Sequence, residues 1–101
     1  MNDRIEIAKR FAEAINSDEI FEIILYGSVA RGDDTEDSDI DILIISNNFH
    51  DIEDFVSDEV LKVLLEDYEY ISAQIMSNDH FEKTKNFSFL KNVLKEGVVI
   101  G

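Results

Sequence analysis

The sequence has no cysteine, proline or tryptophan, and only four glycines among its 101 residues. Without cysteine the chain cannot form disulfides, thiolate zinc sites or iron–sulfur clusters, and it has no cysteine nucleophile. Its two histidines are too few for a histidine-rich metal site. Any metal ion would therefore be held by oxygen ligands.

Basic residues are also scarce. The chain has 9 Lys+Arg against 23 Asp+Glu, which gives a formal net charge of −14 at pH 7. Such a charge repels a phosphate backbone and attracts divalent cations or a basic protein partner. An excess of acids can equally serve only to keep a small protein in solution. In both cases we expect no direct binding to nucleic acid.

Long apolar runs are absent as well. No uninterrupted apolar run, such as residues 23–26 or 98–100, exceeds four residues, whereas a membrane-spanning helix needs about 20 apolar residues. The first residues do not have the pattern of a signal peptide. We therefore expect a cytoplasmic protein without membrane contact. The length and the 45% hydrophobic content predict a single folded domain over residues 1–101.

Apolar spacing and turn-prone residues predict eight elements in the order α-β-β-α-β-α-α-β. A first helix is indicated by the stripe from Ile5 to Ile15, with Asn2 or Asp3 as its N-cap. A second helix is expected over residues 52–64. A third, short helix should begin after residue 77 or 78 and end near residue 85, and a last helix should run from residue 86 or 88 to Gly97. Strands are predicted at residues 20–26, 40–45, 70–76 and 98–100. The fold class is α/β (α+β), a small mixed sheet covered by helices.

Residues with recognisable chemistry are concentrated between positions 27 and 41. Gly27 follows a predicted buried strand, where a glycine permits a sharp turn and the close approach of a ligand. Ser28 begins what could be one helical turn ending at Arg31, and free N–H groups at such a turn can bind an anion. An ordinary junction between strand and turn has the same residues, so both interpretations stay open for this pair.

Asp39 and Asp41 stand two residues apart at the start of the second predicted strand. Alternation along a strand places both side chains on one face, with Cα atoms about 6.5 Å apart. Two carboxylates at that distance repel each other unless a cation lies between them. Hard oxygen ligands favour Mg²⁺ or Mn²⁺. The alternative is an exposed, acidic strand end.

The whole stretch follows the pattern G-S-x-A-R-G-x5-S-D-x-D. It resembles the signature of the DNA polymerase beta nucleotidyltransferase superfamily and, more narrowly, of the minimal nucleotidyltransferase group. This resemblance implies a polymerase-beta-like fold and an attack on the α-phosphorus of a nucleoside triphosphate, with pyrophosphate as the leaving group. In about the first half of the chain the resemblance rests on specific motifs. In the rest it rests only on the order of elements and on the length.

The resemblance also implies roles for individual residues. Asp39 and Asp41 would be the catalytic, metal-binding carboxylates. Arg31 would contact phosphate or brace the turn by pairing with nearby acids, and bracing is favoured because six acids follow between positions 33 and 41. The residues with implied nucleotide-binding roles are Gly27, Ser28, Arg31 and Ser38.

One departure from the superfamily concerns its third carboxylate, which usually lies on the next strand. Here that strand, residues 70–76, contains no acid, and Ser72 or Gln74 takes the expected position. An amide oxygen ligates weakly and cannot act as a base at neutral pH. Glu69 or Asp67, at the entrance of the strand, are less favoured substitutes. The alternatives that follow are slow transfer, a group supplied by the substrate, or a loss of catalysis.

The function implied by the resemblance is an antitoxin. It would transfer AMP from ATP, with Mg²⁺ or Mn²⁺, to a tyrosine of a HEPN-domain protein, a helical ribonuclease toxin. A first alternative is an antitoxin that blocks its partner by binding alone. A second is a small-molecule nucleotidyltransferase of the aminoglycoside-modifying kind. A homo-oligomer is compatible with each of them.

Overall fold

The computed structural model describes residues 3–101. Within this range the chain forms five helices and four strands: α1 (Arg4–Ile15), β1 (Ile20–Tyr26), α2 (Gly27–Arg31), β2 (Ile40–Ser46), α3 (Phe49–Asp67), β3 (Ile71–Met76), α4 (Asn78–Thr84), α5 (Ser88–Glu96) and β4 (Val98–Val99). The predicted order is confirmed, with the short helix α2 added between the first two strands. This helix includes the single turn that the sequence suggested after Gly27.

The four strands form one sheet in the order β3-β2-β1-β4. Strand β1 pairs antiparallel with β2 and with β4, whereas β2 and β3 are parallel. The parallel pair is possible because α3 carries the chain back across the sheet between β2 and β3. The predicted fold class, a small mixed sheet covered by helices, is therefore confirmed.

The side chains of β2 alternate between two apolar clusters, one on each face of the sheet. Ile40, Ile42 and Ile44 belong to the cluster formed with α1 and α3. Leu43 and Ile45 belong to the cluster that α5 covers with Leu90 and Val93. By this alternation Asp41 lies on the α5 side of the sheet, at the end where β2 begins. The strand is thus anchored on both faces directly beside its acidic end.

Helix α1 begins as predicted, with one change in its buried face. The carboxylate of Asp3 accepts hydrogen bonds from the N–H groups of Ile5 and Glu6, each at 3.2 Å. The alternative cap, Asn2, lies outside the described residues. Ile5 is exposed and Ile7 is buried in its place. Ile7 precedes Phe11 by four residues and therefore shares its face of the helix.

The C-terminal elements differ in detail from the prediction. Leu90 and Val93 of α5 are buried, but Phe89 and Leu94 are nearly half exposed. A helix that rests on one side of a sheet buries only a narrow apolar stripe. Strand β4 ends at Val99, although the N–H of the next residue still donates to the carbonyl of Ile23 at 2.8 Å.

Strands β2 and β3 differ from the prediction by one residue each. Ser46, expected in a turn, is the last residue of β2, where its buried hydroxyl donates to the carbonyl oxygen of Glu19 at 2.6 Å. Tyr70 lies just before β3, although its carbonyl accepts the N–H of Ile40 at 3.0 Å. Within residues 3–101 no helix is both long enough and apolar enough to cross a bilayer.

Candidate active site

Gly27 forms the sharp turn between β1 and α2. Its backbone is left-handed, with φ of +76°, a conformation that glycine adopts without steric cost. A Cβ at this position would collide with Oδ2 of Asp41 and would lie 3.2 Å from its Cγ. The missing side chain therefore lets the carboxylate of Asp41 lie directly against the turn. The close approach of a ligand at this glycine stays a prediction, and the contact with Asp41 was not foreseen in the sequence.

Ser28 lies in the first turn of α2 and is half-buried. Its carbonyl accepts the N–H groups of Gly32 and Asp33, at 2.9 Å and 3.1 Å, which closes the short helix at its other end. No side chain of the described residues caps the beginning of α2. The first N–H groups of a helix have no partner within that helix and carry partial positive charge. This end of α2 therefore presents donors that suit a phosphate oxygen.

Asp41 lies on β2, which pairs with β1 on one side and β3 on the other, whereas Asp39 is the residue directly before β2. In the ladder, Asp41 is opposite Tyr26 on one side and Ser72 on the other. Burial and the negative charge of Asp39 raise the pKa of Asp41, and the positive charge of Arg31 opposes them. The two carboxylates are thus close enough for one to disfavour ionisation of the other, and a cation between them would relieve this repulsion.

The donor set at this position fits a particular kind of metal site. Within residues 3–101 no group of three or more histidine, cysteine or acidic side chains could hold a metal ion. Two carboxylates alone do not form a complete cage. Magnesium is typically held by one or two carboxylates together with substrate phosphates and water. Asp39 and Asp41 therefore fit a magnesium ion that arrives with a phosphorylated ligand.

The place expected for a third carboxylate is occupied by neutral side chains. Ser72 pairs with Asp41 across the parallel ladder, and Gln74 pairs with Leu43. Both lie on the same face as Asp41, but Ser72 is the one beside it. The less favoured substitutes are engaged elsewhere, since Glu69 accepts from Arg4 at 2.8 Å and Asp67 from Arg10 at 3.0 Å.

Arg31, the last residue of α2, forms two ion pairs. Its Nε lies 3.1 Å from Oδ2 of Asp33, and its Nη1 lies 3.0 Å from Oε1 of Glu96. The hydrogen bond to Asp33 and, to a smaller extent, the one to Glu96 raise the pKa of Arg31. The pairing with Asp33 is the bracing contact that the sequence favoured. The pairing with Glu96 joins α2 to α5 and was not predicted, because 65 residues separate the partners.

Ser38 closes the turn directly before Asp39. Its hydroxyl oxygen accepts the N–H of Thr35 at 3.0 Å, and its own N–H donates to the carbonyl of Thr35 at 3.1 Å. The serine thus fixes the chain where it enters the acidic strand end. Its implied contact with a nucleotide stays a prediction.

Two aromatic residues beside the carboxylates were not recognised in the sequence as part of the site. The ring of Tyr26 meets that of Phe89 edge-on, with centroids 5.7 Å apart. Burial, together with the charge of Asp41, raises the pKa of Tyr26. A signal for Tyr26 was present, because it ends the strand directly before Gly27. Phe89 could be found only from the packing of α5.

Asp39 is exposed and Asp41 is half-buried, so the carboxylate pair is open to solvent. Three cavities among residues 3–101 are lined by other residues, and the largest of these three, of about 700 Å³, lies near the start of α1 and the segment after α2. An open site admits a large acceptor such as a side chain of another protein. Tyr26 and Ser72 flank Asp41 within it.

Comparisons with known proteins agree with this fold. The model of the family "Nucleotidyltransferase domain" matches residues 5–100. Two relatives from Methanocaldococcus jannaschii carry the name "Putative protein adenylyltransferase". One is 45% identical over 104 residues and the alignment covers 99% of both chains. The other is 31% identical over 99 residues, covering 95% of this chain and 97% of the relative.

Two solved structures share the fold. A "putative nucleotidyltransferase" from Sulfolobus solfataricus has a TM-score of 0.59 at 22% identity and covers 98% of this chain and 86% of its own. A mutant of the toxin-antitoxin MntA-HpeT has a TM-score of 0.58 at 14% identity and covers 100% and 73%. The chain belongs to the nucleotidyltransferase domain family, and its class of activity is nucleotidyl transfer. The resemblance drawn from residues 27–41 is thereby confirmed.

Proposed function

We propose that this protein transfers AMP from ATP, with Mg²⁺, to a tyrosine of a HEPN-type ribonuclease toxin and thereby acts as its antitoxin. The observation that carries the proposal is the contact of Asp41 with Gly27, which joins a metal-binding acid to a turn suited to phosphate. The name of the relatives supports a protein as acceptor. The toxin-antitoxin pair with the same fold supports the choice of a toxin as partner.

Each residue of the site has a place in this reaction. Gly27 and Ser28 donate N–H groups to the phosphate oxygens of ATP, while Asp39 and Asp41 hold the metal ion. Bound Mg²⁺ would offset the negative charge of the phosphoryl oxygens. Arg31 braces the turn that presents these donors. The acceptor tyrosine forms a new bond from its hydroxyl oxygen to the α-phosphorus, and pyrophosphate leaves.

Among residues 3–101 we find no base beside Asp41 for the proton of the acceptor. Ser72 beside Asp41 cannot accept a proton at neutral pH, and no acid lies in β3. The proton therefore passes to water or to a group of the partner. Since general base catalysis contributes about 10²–10⁴-fold, we expect slow transfer unless the partner supplies such a group.

The surface charge supports a basic partner of this kind. A formal charge of −14 attracts a protein that handles RNA and carries a positive surface, and it speeds the encounter of the two. The open position of the carboxylates allows a tyrosine of a folded protein to reach them. We place this pair of proteins in the cytoplasm, since the toxin would act on cellular RNA.

The test combines the protein, a candidate HEPN partner, MgCl₂ and ATP labelled at the α-phosphate. Label should become covalently attached to a tyrosine of the partner, and the ribonuclease activity of the partner should fall. Asp39→Asn and Asp41→Asn should each abolish the label. The matched control is Asp37→Asn, which removes an exposed acid from the same segment and should leave labelling unchanged. Absence of label with the wild-type pair would refute transfer to that partner.

The second candidate is an antitoxin that acts by binding alone. The observation in its favour is the neutral Ser72 beside Asp41, where the superfamily usually has an acid. The same experiment separates the two functions. Inhibition of the ribonuclease that persists in the Asp39→Asn variant, without label, would establish the binding function and exclude the proposed transfer.

A further inference from the structure

Arg4, the first residue of α1, makes four hydrogen bonds outside its own helix. Nε donates to Oε2 of Glu69 at 2.8 Å, and Nη1 donates to Oδ2 of Asp34 at 3.1 Å and to the carbonyl of Thr35 at 2.6 Å. Nη2 donates to the carbonyl of Glu36 at 3.0 Å. Only 12% of the side chain is exposed. One guanidinium group thus ties together α1, the segment after α2 and Glu69, which lies two residues before β3.

The two candidate metal ligands are held in different ways. Asp41 lies within the sheet, with Tyr26 and Ser72 as its neighbours in the ladder. Asp39 is exposed and precedes the first residue of β2. On one side its backbone is held through Ile40, which pairs with Ile71 of β3. On the other side it depends on the segment before it, residues 33–38.

The start of that segment is held by Asp33, which pairs with Arg31 and donates its N–H to the carbonyl of Ser28. Beyond Asp33, the turn and Arg4 hold it. It contains four acids and no basic residue, so its own charges repel one another. The carbonyl of Thr35 accepts both the N–H of Ser38, which closes the turn before Asp39, and the Nη1 of Arg4. Arg4 therefore supplies positive charge and also binds the backbone atom that defines the turn. A forked guanidinium can reach all four acceptors, whereas a lysine ammonium cannot.

We infer that Arg4 is a positioning residue for the metal site. It holds the segment 33–38 so that Asp39 stands beside Asp41, where the two carboxylates can share one cation. This inference rests on the proposed function, since it gives Asp39 and Asp41 a metal ion to hold. Arg4 touches neither of these acids, and its effect is transmitted through the turn at Thr35.

The variants for the test are Arg4→Gln and Arg4→Lys, with Arg10→Gln as the matched control. Arg10 is also on α1, but it is 63% exposed and forms one ion pair, with Asp67. The control thus removes the same charge from the same helix. If Arg4→Gln proves unable to fold, Arg4→Lys keeps the charge and loses only the fork.

The first measurement is amide hydrogen exchange of residues 34–39 in the protein without ligand. Loss of a hydrogen bond to a charged group should speed exchange there by about tenfold or more in Arg4→Gln, and less in Arg4→Lys. Exchange should stay unchanged in Arg10→Gln and, for every variant, in the central strands. Equal exchange of residues 34–39 in wild type and Arg4→Gln would overturn the inference.

The second measurement is the Kd for ATP by calorimetry, with and without MgCl₂. Arg4→Gln should weaken binding by about tenfold with Mg²⁺ and leave it unchanged without, because the displaced group is a metal ligand. An equal loss in both conditions would indicate a merely structural role and overturn the inference. If Mg²⁺ does not strengthen the binding of ATP to the wild-type protein, the proposed function is contradicted instead. The hydrogen exchange of residues 34–39 would still decide whether Arg4 orders this segment.

Discussion

The Cα of Gly27 lies against the carboxylate of Asp41, and no Cβ fits between them. The two residues come from the ends of adjacent antiparallel strands, where Tyr26 and Asp41 are opposite each other. This contact brings the turn that we propose to bind phosphate and the strand end that we propose to bind metal into one site. It also makes the two halves of the site dependent on each other, which mutation can test.

Gly27→Ala should destabilise the protein and disrupt binding of ATP with Mg²⁺. The left-handed backbone alone costs a residue with a Cβ about 1–2 kcal/mol, and the collision with Asp41 adds to this cost. The control is Gly32→Ala, since Gly32 has φ of +82° but no atom within 4 Å of the added Cβ. Urea unfolding and calorimetry should show a smaller loss of stability and intact binding for Gly32→Ala. Equal effects of both variants would contradict the role of the contact.

Asp41→Asn should stabilise the protein without metal at pH 7. The pKa of Asp41 is raised in the folded state, so its ionisation opposes folding once the pH exceeds the unfolded pKa of about 3.9. The gain in stability of Asp41→Asn should therefore be full at neutral pH, and it should vanish as the pH falls below the unfolded pKa of about 3.9. Each 1 kcal/mol corresponds to about 4–8 °C in Tm for a domain of this size.

Thermal unfolding at pH 7 and at pH 3.5 measures this difference for Asp41→Asn. Asp37→Asn serves as the control for the loss of one negative charge from an exposed position. With ATP and MgCl₂ the wild-type protein should have a higher Tm than Asp41→Asn, because this ligand should stabilise only the protein that retains both carboxylates. A variant that is less stable than wild type at pH 7 without metal would show that ionised Asp41 does not oppose folding.

Ser72→Asp should restore a third carboxylate beside Asp41 and speed nucleotidyl transfer. A base at this position is expected to raise the rate by about 10²-fold or more. Without metal, the added charge next to Asp41 should lower the Tm. The control is Gln74→Asp, which places the same charge about 6.5 Å further along β3, beside Leu43. The initial rate of labelling measures this effect. Equal rates for Ser72→Asp and Gln74→Asp would show that Ser72 does not occupy the place of the third carboxylate.

Glu96→Gln should loosen the attachment of α5 to α2. The change removes the ion pair with Arg31 at 3.0 Å and leaves the pair of Arg31 with Asp33 intact. The control is Glu66→Gln, since Glu66 is exposed and has no ion pair within residues 3–101. Loss of one acid should relieve the general repulsion equally in both variants. The Tm of Glu96→Gln should therefore be the lower one at 0.05 M NaCl.

High salt provides an internal check of this assignment. At 1 M salt the screening length is about 3 Å, so an exposed ion pair contributes little. The difference in Tm between the two variants should then disappear. A difference that persists in 1 M NaCl would mean that Glu96 holds α5 by packing and not by charge.

The candidate site was predictable to the extent that its residues are close in the sequence. Gly27, Ser28, Asp39 and Asp41 lie within fifteen residues, and each is of a type whose chemistry depends on local backbone. Arg4 and Glu96 were missed because their partners are 30 or more residues away. Neither has a local pattern that distinguishes it from other charged residues on a helix.

The fold shows the same division. Alternation and helical spacing determined which segments form strands and helices, because hydrogen bonding and side-chain direction repeat over a few residues. The packing of α5 on one face was a tertiary outcome, and it decided that Leu90 is buried while Phe89 is half exposed.

The sequence by itself determined the order of elements, the acid-rich surface and the two short motifs, since each depends on neighbours along the chain. The tertiary structure alone decided that Asp41 rests on Gly27, that Ser72 fills the place beside it and that Arg4 holds the turn before Asp39. These relationships depend on strand register and on contacts across the sheet. A shift of one residue in register would turn each side chain of a strand to the opposite face. Because β2 is apolar on both faces, its own pattern does not fix that choice.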